Sequence, residues 1–319
     1  MTIKRAFLAA ALASAMWLPA QAEQVVAITQ IVAHPALDDA YKGVLDELAE
    51  AGYRDGDKIR VVHEIAQGDQ AIATQIAKKF AGDKPAVIVA ISTPSAQSVA
   101  AAARDIPIVF TAVTDPVAAK LVDNLEKPGK NITGYSDAVS TEYSVDMVKN
   151  ILPEAKVIGT IYNPGEANSV VAVEALEKVV VDKGLSLVKA PANKSSEVLD
   201  AARSLQGKAD ALLITTDNTV VSALPSVIQA GEKGKLPVFT VDTSSVEQGA
   251  IAAVGFGYYD LGRATGKQVA QILGGSAAGD IPVGFMKAEE LYLNPKAAEK
   301  MGVAIPDAVR QSASKIIGE

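Results

Sequence analysis

Four dipeptides concentrate polar chemistry beside proline: His34-Pro35, Thr93-Pro94, Asp115-Pro116 and Asn163-Pro164. Each follows an apolar run that reads as a strand, or the loop that leaves it. For Thr93-Pro94 and Asp115-Pro116 the order is that of a helix N-cap followed by proline in the first turn. Free N–H groups at such a start, with the helix dipole behind them, favour an anion, and the carboxylate of a small ligand fits. Ser92 and Thr93 add hydroxyls, and Thr111 and Thr114 lie at the neighbouring strand exit. In the later half Asn163, Asn168 and Ser169 follow one apolar strand, while Asp217, Asn218 and Asp242 follow two others. A carboxylate facing a cleft suits an ammonium group, although Asp217 and Asp242 read equally well as solvated caps. An anion site on one domain and a cation site on the other would make binding of a zwitterion such as an amino acid favour a closed state.

Other chemistry finds little support. Two histidines and no cysteine argue against a zinc site or a nucleophilic thiol. Glu142, Glu166 and His63 have no spacing that calls for a metal or for acid–base work, and no cofactor is expected. The run Gly255-Phe256-Gly257-Tyr258-Tyr259-Asp260-Leu261-Gly262 has the glycines of a dinucleotide loop but the wrong spacing, far from the first strand. It reads instead as a crossing between domains.

The elements that must position these residues alternate strand and helix. Early strands read at 25–31, 59–65, 86–91 and 106–110, with helices between them marked by Leu37, Tyr41, Val44, Leu45 and Leu48, by Ile72, Ile76 and Phe80, and over 94–104. The order restarts after Pro153 with strands at 157–162, 185–188, 211–214 and 237–241, and Val220, Leu224 and Ile228 mark one helix before the last. Pro-Ala-Val-Ile-Val-Ala-Ile-Ser-Thr at 85–93 parallels Ala-Asp-Ala-Leu-Leu-Ile-Thr-Thr-Asp at 209–217, and 106–111 parallels 236–240. Near-continuous apolar strands alternating with amphipathic helices mean parallel sheets covered on both faces. The expected fold class is therefore α/β, with two doubly wound parallel-sheet domains joined by a three-segment hinge. The first lobe is placed at 23–134 plus about 256–282 and the second at 135–255 plus about 283–319, with a single larger α/β sheet as the alternative. In parallel sheets ligands sit at the carboxyl ends of the strands, where the residues above collect.

At the N-terminus Lys4 and Arg5 precede an apolar run that ends in Ala20-Gln21-Ala22, the order of a cleavable secretory signal peptide over 1–22. No cysteine stands at the cleavage point to take a lipid, so a free periplasmic product is expected. Loss of Lys4 and Arg5 moves the formal charge from −7 to −9, and an acidic chain without a basic block argues against nucleic acid or anionic lipid as partner.

The residues resemble the ABC transporter substrate-binding proteins of the tryptophan/tyrosine type, with a type I periplasmic binding protein fold, over essentially the whole mature chain. The resemblance is carried by Gln30–Asp38, Ala66-Gln67-Gly68-Asp69-Gln70, Phe110–Val117, Tyr162–Ser169, Thr216-Asp217-Asn218 and Tyr258–Arg263. It implies a periplasmic receptor that delivers an amino acid, often an aromatic one, to a membrane permease with an ATPase subunit; the chain itself is expected to be a monomer. By position it implies that Ser92, Thr93, Ala112 and Thr114 hold the ligand carboxylate and that Asn168, Asp217 and Asp242 hold its ammonium end. Tyr162 is a candidate wall. A sugar or purine-like ligand and a two-domain enzyme working in the same cleft stay open, whereas a regulator would need a DNA-binding segment where the signal peptide stands.

Overall fold

The runs of Val, Ile and Ala that alternate with amphipathic helices build two sheets of the same plan. The structure is a computed structural model describing residues 23–286 and 290–318; the expected signal peptide lies outside the described residues. The first half supplies β1 (Gln24–Gln30), α1 (Pro35–Glu50), β2 (Ile59–Ile65), α2 (Gln70–Asp83), β3 (Val87–Ile91), α3 (Thr93–Ala102), β4 (Ile108–Val113) and β5 (Ile132–Ser136). The second supplies α4 (Thr141–Ile151), β6 (Val157–Tyr162), α5 (Ala167–Asp182), β7 (Ser186–Pro191), α6 (Val198–Ser204), β8 (Ala211–Ile214), α7 (Asn218–Ser222), α8 (Leu224–Gly234), β9 (Val238–Thr240), α9 (Ser244–Glu247) and β10 (Ala252–Gly255). The chain ends with α10 (Tyr258–Leu273), β11 (Gly284–Phe285), β12 (Glu290–Leu293), α11 (Pro295–Lys300), α12 (Asp307–Ser312) and β13 (Lys315–Ile316).

The strand orders are β11-β5-β4-β3-β1-β2 and β13-β12-β10-β9-β8-β6-β7. With β6 to β10 set against β1 to β5, five strands follow one order in both sheets, and the two local sequence matches fall on β3 against β8 and β4 against β9. All pairs are parallel except β10 with β12. Each sheet has its own buried cluster, one around Ile28, Ile88 and Phe110 and one around Ile158, Leu212 and Phe239. Val139, in the first crossing, packs against both.

The halves exchange a helix. α4 follows β5 yet packs on the second sheet, and α10 follows β10 yet packs on the first, against α1. The α1–α10 contact is nearly backbone on backbone: a Cβ on Gly262 would lie 2.1 Å from the Ala40 carbonyl oxygen. Only glycine allows this approach, and it fixes Tyr258, the first residue of α10, at the edge of the first lobe.

Several expectations need correction. β5 continues to Ser136 and pairs with β4, so the first crossing runs over Asp137–Ser140 and not from residue 134. Gly284–Phe285 adds to β5 in the first sheet, which carries that lobe past residue 282; the third crossing, between Phe285 and Glu290, includes residues outside the description. The single helix expected over 220–228 is two, α7 and α8, separated at Ala223. Pro225 sits in the first turn of α8, where its missing N–H costs nothing, but it cannot continue the hydrogen bonding of α7. Among the described residues no helix is long and apolar enough to cross a membrane.

Candidate functional site

The carboxyl ends of both sheets face each other across the crossings, and the two lobes are in contact there. Thr114 and Thr216 hydroxyls are 2.9 Å apart, Ser244 Oγ donates to Asp39 Oδ2 at 3.1 Å, and His34 bonds Asn218. His34 is the backbone start of α1 but makes no side-chain cap. Burial pushes its imidazole down to about 4 against the opposing Asn218 bond, so it is neutral at pH 7, and its Nδ1 has no partner.

Seven of the sequence-predicted residues line one cavity between the lobes: His34, Ala112 and Thr114 from the first, Asn168, Asp217, Asn218 and Asp242 from the second. Its empty space, including the mouth, is about 330 Å³. Asp115 and Asn163 stand at its two flanks, Asp115 on an adjoining cavity and Asn163 on a groove at the far edge. Ser92, Thr93 and Ser169 are buried nearby but form no part of its wall. Tyr162 lines neither the cavity nor its neighbour.

The acidic side differs from expectation. Asp217 caps α7, with Val220 N donating to Oδ1 at 2.8 Å and Asn163 N and Ser169 Oγ donating to Oδ2. Asp242 holds the first turn of α9 through Ser245 N at 2.8 Å and Ser245 Oγ at 2.6 Å. Both are therefore committed within their own lobe, although burial raises both carboxyls, Asp217 to about 7 with Glu166 adding repulsion. The carboxylate with a free oxygen is Asp137, in the first crossing. Its Oδ2 accepts from Tyr258 OH at 2.8 Å, while its buried Oδ1 has no partner. Burial pushes Asp137 above the usual range, the Tyr258 and Thr114 hydroxyls pull it back, and Asp242 repels it further. Among the described residues no lysine or arginine lines the cavity to compensate these charges. Asp137 follows β5 as Asp242 follows β9; placing the domain boundary at 134 hid it from the strand-exit rule.

The opposite chemistry lies at the start of α3. Thr93 is the first helical residue and Ser92 the N-cap, one position earlier than expected. Ser92 adopts φ of +81° and makes no cap bond, so its hydroxyl stays available. Ser92 Oγ, Thr93 Oγ1 and Ser95 Oγ are all buried and all unpartnered. Three orphaned hydroxyls thus stand together at the start of a ten-residue helix, a chemistry that suits an anion. Thr111 Oγ1 lies 2.9 Å from Thr265 Oγ1 on α10, and Thr111 forms no part of the cavity wall. Asp115 does not begin a helix; its Oδ1 accepts from Val117 N and Ala118 N in an isolated turn, since Lys120, at φ +60°, ends it.

Glu166, which sequence reading left without a role, organises the second lobe's loops. Its oxygens accept from Asn218 Nδ2 at 2.6 Å, Thr219 Oγ1 at 2.7 Å, Thr219 N at 3.0 Å and Asn218 N at 3.2 Å. It thus ties the β6–α5 loop to the start of α7. Asn168 Nδ2 donates to the Thr216 carbonyl at 2.6 Å, leaving its own Oδ1 unpartnered beside the cavity.

Comparison with known proteins agrees with this architecture. Residues 25–317 match the family model described as ABC transporter substrate binding protein. A tyrosine-binding protein of Clostridioides difficile is 43% identical over 269 residues, 84% of this chain and 78% of that protein. The crystal structure of an ABC domain in complex with L-Trp from Streptococcus pneumonia superposes with a TM-score of 0.89 at 34% identity, over 92% of this chain and all of that one. The ligand-free, open structure of a substrate-binding protein with adhesive properties from Clostridium difficile is more similar in sequence, 40% over 93% of this chain and 100% of that one, yet superposes at only 0.68. The lobes thus stand as in the L-Trp complex, in keeping with the bonds across the cleft. The fold is that of the type I periplasmic binding proteins, and the chain belongs to the ABC transporter substrate-binding proteins.

Proposed function

We propose that the protein captures an amino acid, of the aromatic kind, between its lobes and presents it to the membrane permease of an ABC importer. The observation that carries this reading is Asp137 Oδ1, a buried carboxylate oxygen without a partner in a cavity where the described residues supply two further carboxylates and no lysine or arginine. Burying uncompensated charge is costly, and an ammonium group entering the cavity removes that cost. The three orphaned hydroxyls at the start of α3 supply the matching contact for the carboxylate. A tyrosine-binding relative and an L-Trp complex of the same fold support the aromatic class. In this reading the protein works as a monomer in the periplasm once its signal peptide is removed, and carries out no chemistry on its cargo.

A thermal-shift screen of the mature chain against the standard amino acids tests this. A ligand at about 100 times its dissociation constant adds roughly 2.7 kcal/mol to stability. Tyrosine or tryptophan is expected to raise the midpoint most, and a flat response to every amino acid would refute the reading.

A further inference from the structure

Beside the polar cavity lies a second, with about 700 Å³ of empty space including its mouth, between α4 and α5. Thr114, Asp137 and Thr216 line both and form part of the wall between them. The chemistry changes across that wall. Val139, Val171, Ala172, Leu176, Leu213 and Val241 make the second cavity largely aliphatic, and among the described residues no aromatic side chain lines it. One buried polar atom stands out: Thr215 Oγ1 has no partner, and Thr215 is 5% exposed on the cavity wall.

We propose that this cavity receives the ring of the ligand, with Ala172 and Ala175 setting its width and Thr215 meeting a polar atom on the ring. The proposal rests on the reading of the cleft as an amino-acid site. An ammonium held at Asp137 Oδ1 stands at the shared wall, so the side chain has an aliphatic space directly beside it. Dispersion and apolar burial favour a flat ring there without stacking, which answers the scarcity of aromatics in the chain. Ala172 and Ala175 are three apart on α5 and both line the cavity, so larger residues at either would fill the slot. The orphaned Thr215 hydroxyl pairs with a phenol O–H or an indole N–H and not with a bare phenyl ring. The ligand class is thus an aromatic amino acid with a polar ring atom.

The test is calorimetric titration of the wild-type mature chain, Ala172→Leu, Ala175→Leu and Thr215→Val with L-tyrosine, L-tryptophan, L-phenylalanine and L-alanine. Wild type is expected to bind tyrosine and tryptophan at least tenfold more tightly than alanine. The leucine variants are expected to lose tenfold or more for both aromatics with an unchanged melting midpoint and no loss for alanine. Thr215→Val, near in shape and therefore safe for folding, is expected to lose fivefold or more for tyrosine and nothing for phenylalanine. Alanine binding wild type as tightly as tyrosine, leucine variants that bind aromatics normally, or leucine variants that lose alanine in equal measure would each overturn the proposal. A wild-type chain that binds no amino acid would instead defeat the reading of the cleft beneath it.

Discussion

Replacing Asp137 by asparagine is expected to weaken binding of tyrosine or tryptophan by about 2–5 kcal/mol, the cost of removing one partner from a buried charge pair. That corresponds to roughly 30- to 4000-fold in Kd. Asparagine keeps the shape and can still accept from the Tyr258 hydroxyl, so the loss reports the charge and not a cavity. The unliganded variant should also melt no lower than wild type. Asp137 is repelled by Asp242 and raised by burial, and removing an uncompensated buried carboxylate relieves both penalties. Titration together with a melting curve checks the pair of outcomes. Weaker binding with a lower midpoint would make Asp137 a structural residue, and unchanged binding would move the ammonium elsewhere.

Glu166→Ala is expected to act in the opposite sense, lowering stability by on the order of 3 kcal/mol, since each hydrogen bond to a charged group contributes about 1.5–3 kcal/mol and six donors, two of them at longer range, lose their acceptor together. Part of that loss is offset by water, because Glu166 borders the open groove at the cleft edge. For a domain of this size the shift is about 6–12 °C in midpoint. Binding should weaken too, since Asn218 and the start of α7 lose the anchor that holds them against His34. A midpoint within about 2 °C of wild type would show that the loop pair holds its place without Glu166, well below the expected shift.

The contrast between these two residues shows what could be read from the sequence. Apolar periodicity and the two internal matches were enough for the paired sheets, because burial on both faces of a parallel sheet forces continuous apolar runs such as Val87–Ile91 and Ala211–Ile214. The strand-exit rule likewise brought His34, Ala112, Thr114, Asn168, Asp217, Asn218 and Asp242 to one cavity. What it could not give was the state of each carboxylate. Asp217 and Asp242 look like ligand groups from their positions, but neighbouring N–H and hydroxyl donors, fixed only by the tertiary turn geometry, occupy them. Asp137 was missed because a short strand, Ile132–Ser136, reads as a linker when its glycine and serine interrupt the apolar run. Gly134 is needed there: a Cβ would lie 2.1 Å from the Phe110 carbonyl oxygen, so the residue that blurs the pattern is the one that lets β5 pair with β4. The aliphatic cavity was invisible for another reason, since its walls come from the crossing, α4, α5, β8 and β9, whose proximity is a product of the helix exchange.

The central claim is that one cleft holds both charged ends of an amino acid, the ammonium at Asp137 and the carboxylate at the start of α3. Titration of the mature protein with L-tyrosine, with tyramine and with the deaminated acid 3-(4-hydroxyphenyl)propionate tests it most directly, because the three share a ring and differ only at those ends. L-Tyrosine is predicted to bind, and each truncated analogue to bind at least about 30-fold more weakly, the lower bound for losing one buried charged contact. Binding of either analogue within a few-fold of tyrosine would contradict the account.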